Sequence, residues 1–363
     1  MPKMIFHVPY PLNREATSAS GIRPVAMRDA FESLGYEVTE VTGLAAQRKA
    51  AIRSVRKRIR SGEKFDFVYS ESSTMPTALT EPHHLPTHPL QDISFLGYCK
   101  RRGIPSGVFY RDIYWQEPAY RESVNALVAL GTRRLYRWDL RRYRTQVSRI
   151  FVPSMRMAEV MPHTRLEQCV PLPPGSPIVD QPVADNPSAL CYVGALGSYY
   201  RLHECVRAVE SVPGASLQLC TRPQLWEAEK AGYVPLMLNG ATTVIHESGA
   251  GLEPMYKSSA VGVLFMEPID YREFAAPMKL YEYLGHGLPV VAVKGSLVAE
   301  FIEEYDAGWA LDYDGGELSE LLRRLQSNPD EYAQKAERVR NLRRQHTWEA
   351  RAQQAADALS AAR

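Results

Sequence analysis

Nowhere in its 363 residues does this chain hold an apolar run long enough to cross a bilayer, which takes about 18 consecutive residues, so no membrane span is expected. The first nine residues, Met1-Pro2-Lys3-Met4-Ile5-Phe6-His7-Val8-Pro9, have no long apolar core either and read as a strand, not an export signal. Cysteine is scarce. The five, Cys99, Cys169, Cys191, Cys205 and Cys220, are odd in number and show no C-x-x-C spacing, which argues for reduced, packed thiols in a cytoplasm and against zinc. An excess of one charge is missing too: 43 lysines and arginines face 41 aspartates and glutamates, a net +2 that gives no reason to expect nucleic acid. The turn after the first strand lacks the spaced glycines of a dinucleotide site, which speaks against a nicotinamide dehydrogenase. No internal repeat or low-complexity tract is present.

Against these gaps stand 45% hydrophobic residues, enough at this length for two ordinary cores. Strand-like and helix-like stretches alternate through both halves, the pattern of two α/β domains made of βαβ units. In the first half, residues 4–8, 36–41, 65–69, 106–110 and 149–152 read as strands, with a helix over about 20–34. In the second half, strands are expected at 189–193, 216–220, 242–245, 260–266 and 288–293. Proline density from Pro171 to Pro187 prevents regular structure and marks a linker. The predicted division is 1–172, linker 173–187, a second domain 188–345, and a terminal segment 346–363 within a helical pattern covering 329–362.

The most informative segment runs from Pro277 to Lys294. Pro277 suits the first helical position and Gly285 or Gly287 the left-handed stop, which predicts a helix over 277–284. Lys279 then sits in the first turn, where the free N–H groups favour negative charge, and a bound phosphate would resolve that conflict. Glu282 follows at i+3 on the same face. A solvent-exposed Lys–Glu pair is the plainer alternative. The helix lies between two buried-strand runs, and ligands of open α/β sheets bind where such strands end.

On these residues the segment resembles the donor-binding region of GT-B glycosyltransferases, above all family four and its relatives. The resemblance implies two Rossmann-like domains facing across a cleft, with a last helix crossing back to the first domain. It makes Lys279 the ligand of a donor diphosphate and Glu282 that of the ribose, with Leu280 between them in the donor site. The family's second glutamate, eight positions before the ribose one, falls on Phe274; Glu273 is one place off and Glu267 opens Glu267-Pro268, so that role is unassigned. Gly194, after the strand 189–193, resembles the glycine that opens the family's donor domain, and Arg201 is the nearest downstream basic residue, though an ordinary tight turn explains the glycine equally well. Arg222, after the 216–220 strand, and His246 and Leu252, after the 242–245 strand, complete the donor candidates.

Transfer of a sugar needs a cradle for the departing nucleotide diphosphate, a seat for the acceptor hydroxyl and, for inversion, a base. Asp112, just past the 106–110 strand, is the candidate base; pairing with Arg111 or capping a turn is the even alternative. Some inverting enzymes of this fold carry an aspartate at a comparable strand end. Acceptor candidates lie in the long loop after the first strand, Asn13, Arg14, Thr17, Ser18, Ser20 and Gly21, with Glu71 and its neighbours Ser72, Ser73 and Thr74. His83, His84 and His88 sit in a proline-rich loop without metal-ligand spacing. Two basic runs remain: 48–60, which is either a solvated helix face or a contact with an anionic membrane, and 133–149 with Tyr136, Trp138 and Tyr143. The expectation is a metal-independent enzyme with no resident cofactor, cytoplasmic or peripheral to the inner membrane face, moving a sugar from a nucleotide-sugar donor to a glycan, lipid-linked or small-molecule hydroxyl. A nucleotide-sugar epimerase and a non-catalytic nucleotide-binding protein are the alternatives.

Overall fold

The computed structural model describes residues 1–16, 18–118, 120, 124–268 and 276–362; Thr17, Glu273 and Phe274 lie outside them. The chain forms two compact units, Met1–Pro174 with Trp348–Arg363, and Gly175–Thr347.

The first unit holds a parallel sheet of β1 (Lys3–His7), β2 (Glu37–Val41), β3 (Phe67–Glu71), β4 (Ser106–Phe109), β5 (Arg149–Val152) and β6 (Cys169–Pro171), in the order β2-β1-β3-β4-β5-β6. Its helices are α1 (Ala19–Ser33), α2 (Ala45–Arg60), α3 (Gln91–Arg101), α4 (Ala126–Gln146) and α5 (Met155–Val160). The central strands are apolar on both faces because helices cover both, as parallel sheets require; Met4, Ile5 and Phe6 of β1 are fully buried. Phe31 of α1 meets Tyr69 and Phe67 of β3 at ring-centroid distances of 5.2 and 5.7 Å, which seats that helix on the sheet.

The second unit repeats the plan with β7 (Ala189–Val193), β8 (Ser216–Cys220), β9 (Thr242–Ile245), β10 (Val261–Leu264), β11 (Val290–Val293) and β12 (Gly308–Leu311), all parallel, ordered β12-β11-β10-β7-β8-β9. Its helices are α6 (His203–Ser211), α7 (Pro223–Tyr233), α8 (Glu253–Ser258), α9 (Met278–Gly285), α10 (Leu297–Glu304), α11 (Gly315–Ser327) and α12 (Pro329–Leu342). Local chemistry starts several of them. The Asp314 carboxylate accepts the N–H groups of Gly316 and Glu317 at the head of α11, and the Ser296 hydroxyl accepts that of Ala299 in α10.

Three differences from the sequence reading have simple causes. The edge strands β6 and β12 are short and carry a proline or a glycine, so their pattern is weak. The helical pattern over 329–362 is two helices: α12 stops, a 3-10 turn follows at Arg343–His346, and α13 (Trp348–Ser360) returns to the first unit, where it lies on α1. The proline-rich stretch has no helix or strand between Pro171 and Ala189, but from Gly175 onward it belongs to the second unit. Val179 donates to the Gly285 carbonyl at 3.0 Å, and Arg343 donates to the Val179 carbonyl at 2.9 Å, so this segment is fastened down rather than free.

Candidate functional site

In each sheet the chain reverses direction of growth beside its first strand, and the loops on either side of that point diverge to leave a crevice at the carboxyl edge. In the second unit the point lies between β7 and β10. Gly194 follows β7, and Lys279 and Glu282 stand on α9, the helix between β10 and β11. The sequence expectation for α9 is close to what forms: Pro277 is the residue before the helix rather than its first member, and Gly287 takes the left-handed φ of 76° that stops it. Lys279 and Glu282 share a face, with Nζ 2.5 Å from Glu282 Oε2, and both are only about a quarter exposed. The same Glu282 oxygen accepts the Tyr256 hydroxyl of α8 at 3.1 Å. His286, at the end of α9, contacts the Glu282 carbonyl through Nδ1 at 2.8 Å and lies against the Tyr256 ring. The carboxylate is thus fixed by a cation on one side and a phenol on the other.

Lys279 also stands close to the ends of β7 and β8. Burial pushes the Cys191 thiol up to about 12 and raises that of Cys220, while the Lys279 charge acts on both in the opposite sense. Gly194 donates its N–H to the Cys220 carbonyl at 3.0 Å, and His246 Nδ1 lies 2.7 Å from the Thr221 carbonyl, so the ends of β7, β8 and β9 are joined along this edge. Arg222 is exposed at the head of α7.

Other donor candidates have structural duties. A side chain at Gly194 would run into the Tyr192 hydroxyl, so its glycine is needed for packing, whatever it does for a ligand. Arg201 is half exposed and paired with Glu267 at 3.0 Å, the residue that opens Glu267-Pro268. The side chains of Leu280 and Leu252 are buried in the core beneath α9, where an apolar residue belongs, so neither side chain faces the crevice.

In the first unit the reversal point lies between β1 and β3. A cavity of about 260 Å³ opens there, lined by Tyr10 to Asn13, Ala16, Ser18, Ser20, Gly21 and Pro24, by Ser73 and Thr74 after β3, and by Arg111 after β4. The structure brings together most of the acceptor candidates: Asn13, Ser18, Ser20 and Gly21 all line it. Gly21 is required because the loop doubles back so closely that a Cβ there would meet Ala16. Arg14 is a correction, exposed and paired with Asp29 at 3.3 Å instead of lining the cavity. Glu71 is another. It is fully buried behind the wall, its Oε1 accepting the Tyr69 hydroxyl at 3.0 Å beside Arg23 at 3.2 Å, and its Oε2 accepting from Arg111 at 3.3 Å.

Arg111 is the residue the sequence reading passed over. It sits one place before Asp112 at the same strand end, and its guanidinium donates to the Ser20 carbonyl, the Tyr10 hydroxyl and the Glu71 carboxylate at 3.0 to 3.3 Å. It ties the loop after β1 to the end of β3. Asp112 does not line the cavity; its Oδ1 accepts the Tyr114 N–H at 3.1 Å, the turn-capping alternative. Burial nevertheless raises its pKa, against the pull of that N–H and of the Arg111 charge. His83 and His84 bond to nearby backbone, and among the described residues no three His, Cys, Asp or Glu side chains converge as metal ligands. Nor is any described helix long and apolar enough to cross a membrane.

Residues 265–355, which include Lys279 and Glu282, match the model of a family described as the glucosyltransferase 3-like C-terminal domain. No curated protein sequence matches the chain. Among solved structures it is similar to HepE of Anabaena in complex with UDP, at 14% identity over 99% of this chain and all of that one, with a TM-score of 0.64. Sucrose-phosphate synthase of Thermosynechococcus elongatus is similar at 15% identity, 98% of each chain and a TM-score of 0.62. WaaG, a glycosyltransferase involved in lipopolysaccharide biosynthesis, is similar at 15% identity, 97% of this chain and 98% of that one, with a TM-score of 0.57. The fold is the GT-B fold, and the residues that match the glucosyltransferase 3-like model span α9.

Proposed function

We propose that this chain, with its GT-B fold and glucosyltransferase-type domain, moves a hexose from a UDP-sugar to a hydroxyl acceptor, using fixed protein cations instead of a metal ion. The observation that carries the reading is the pair Lys279 and Glu282 at the crevice of the second sheet, both inside the matched region, with Tyr256 from outside it holding the Glu282 carboxylate. On binding, a diphosphate would draw the Lys279 ammonium from Glu282 and lie against the free N–H groups that begin α9, so charge growing on the leaving UDP meets a preset positive field. Glu282 Oε2 remains held by Tyr256, which keeps the carboxylate in place to accept ribose hydroxyls. HepE, which shares the fold, has been solved with UDP-glucose, and this makes a uridine donor the first to test.

The acceptor belongs in the cavity of the first unit. Its volume falls just under that of a drug-sized pocket and suits one sugar ring or the end of a chain; hydroxyls of Tyr10, Ser18, Ser20, Ser73 and Thr74 match a polyhydroxylated ligand. Asp112 caps its own turn outside the lining of this cavity, so the acceptor reading assigns it no proton-transfer role.

Calorimetric titration with UDP, UDP-glucose and GDP-mannose tests the donor. UDP compounds should bind, and Lys279→Ala should weaken them at least about tenfold while costing under about 1 kcal/mol of stability, since the Lys–Glu pair is partly exposed. Unchanged UDP affinity in that variant removes the donor site from α9. Conversion of UDP-glucose alone into another sugar nucleotide would replace transfer with epimerisation.

A further inference from the structure

The wall of the first unit's cavity gives hydrogen bonds more than it takes them. Tyr10 Oη accepts from the Arg111 guanidinium at 3.2 Å, Asn13 Oδ1 accepts the Glu15 N–H at 3.0 Å, and Ser73 Oγ accepts the Met75 N–H at 3.2 Å. The oxygens of all three are thus engaged within the protein. Their two hydroxyl hydrogens and the Asn13 amide hydrogens meet no acceptor among the described residues. Ser18 and Ser20 share one hydrogen bond at 3.1 Å, which leaves a further hydroxyl hydrogen. A neutral sugar hydroxyl both donates and accepts, whereas an ionised phosphate or carboxylate only accepts and suits a wall of donors. Charge leads to the same ligand. Arg111 is the one charged side chain among the described residues that line the cavity. Its carboxylate partner, Glu71, lies 3.3 Å from Arg111 and 3.2 Å from Arg23, so two guanidiniums share one negative charge. Asp112 does not redress the balance, since it lies off the wall and burial favours its uncharged form. The Arg111 side chain is only 12% exposed, which leaves water little access to the surplus charge.

We propose that the acceptor is a sugar bearing a phosphate or carboxylate group, and that Arg111 with the adjoining Tyr10 hydroxyl holds that group in the cavity. This rests on the reading of the cavity as the acceptor seat, and it names the class of acceptor: an acidic sugar in place of a neutral glycan end. An anion there completes the balance that Glu71 leaves half made, one negative charge for each guanidinium. The planar fork of Arg111 suits either anion, since two oxygens of a phosphate or a carboxylate match two of its N–H groups. The remaining donors of the wall serve the ring and hydroxyl oxygens of the same sugar.

NMR titration of the full chain with glucose, glucose 6-phosphate and glucuronate, with and without UDP, tests it. At least one of the two anionic sugars should bind about tenfold or more tighter than glucose, and the advantage should shrink with added salt. Which of the two gains it separates a phosphate-bearing acceptor from a carboxylate-bearing one. Arg111→Gln should abolish the advantage, and Arg111→Lys, which keeps the charge but not the fork, should retain part of it. Arg111 also ties the loop after β1 in place, and a purely structural loss would weaken all three sugars alike and leave their ratio unchanged. That result overturns the proposal. So does equal affinity for the three sugars in the wild type, which needs no variant to fold and leaves the cavity free to seat a neutral acceptor. Failure of both anionic sugars to bind overturns it as well, and so does their displacement by UDP, which would give Arg111 to the donor's own diphosphate. Loss of UDP binding with the anionic preference intact would instead count against the donor site alone.

Discussion

Buried charge is settled side chain by side chain in this protein. Asp139 on α4 accepts the Thr77 N–H through Oδ2 at 2.7 Å, while Oδ1 is buried with no hydrogen-bond partner among the described residues. Burial is the larger influence and pushes its pKa up to about 7, where an unfolded aspartate sits near about 3.9. Between those values the native state holds a proton that the unfolded chain has released. The stability this group lends is therefore complete below about pH 4 and is lost as pH rises through about 7. Asp139→Asn removes that slope, so in urea melts the variant should gain about 1–2 kcal/mol on the wild type between pH 5 and pH 8. A constant offset at all pH values would mean that the carboxylate is already ionised in the native state. Glu71 is buried too, but it is paired with Arg23 and Arg111, and removing its charge strands two cations. Glu71→Gln should cost about 3 kcal/mol by denaturant melts and loosen the acceptor cavity whose wall Arg111 holds. A loss within about 0.5 kcal/mol would show that water already serves those guanidiniums.

Helix α9 shows how one element serves both core and site. Leu280, Tyr281, Tyr283 and Leu284 are buried, while Lys279 and Glu282 reach the crevice, so the helix cannot rotate without breaking one face or the other. Its last residue is fixed from outside as well. A Cβ at Gly285 would meet the Ser176 hydroxyl and the Pro177 carbonyl, a contact with backbone that has little room to give. Gly285→Ala should therefore cost about 1–3 kcal/mol, measured by thermal melts, with a smaller loss of UDP affinity. If the variant is as stable as the wild type, the 175–187 segment is not seated against α9.

In the chain as a whole, the return of α13 to the first unit links stability at one end of the sequence to structure at the other. Ala352, Ala355 and Leu359 are fully buried, Arg351 donates to the Pro174 carbonyl at 3.0 Å, and Trp348 lies within 5.9 Å of the Arg23 guanidinium. Removing residues 348–363 should lower hydrogen-exchange protection in β3 and β4 by at least about tenfold while leaving UDP affinity within about twofold. Equal loss in both units would mean that they unfold as one. Two parallel α/β sheets and a Lys279–Glu282 pair on one helical face were legible from the chain, because burial on both faces writes apolar runs and helical periodicity writes spacing. Position along the chain carries no such trace of which groups meet across the fold. It could not show that Glu71 is spent on Arg23 and Arg111, that Arg111 and not its neighbour Asp112 lines the cavity, or that Tyr256, 26 residues away, steadies Glu282. Local pattern reports how each residue meets its own helix or strand; partnership between distant side chains is fixed only when the packed chain decides which polar groups lose water and must find one another.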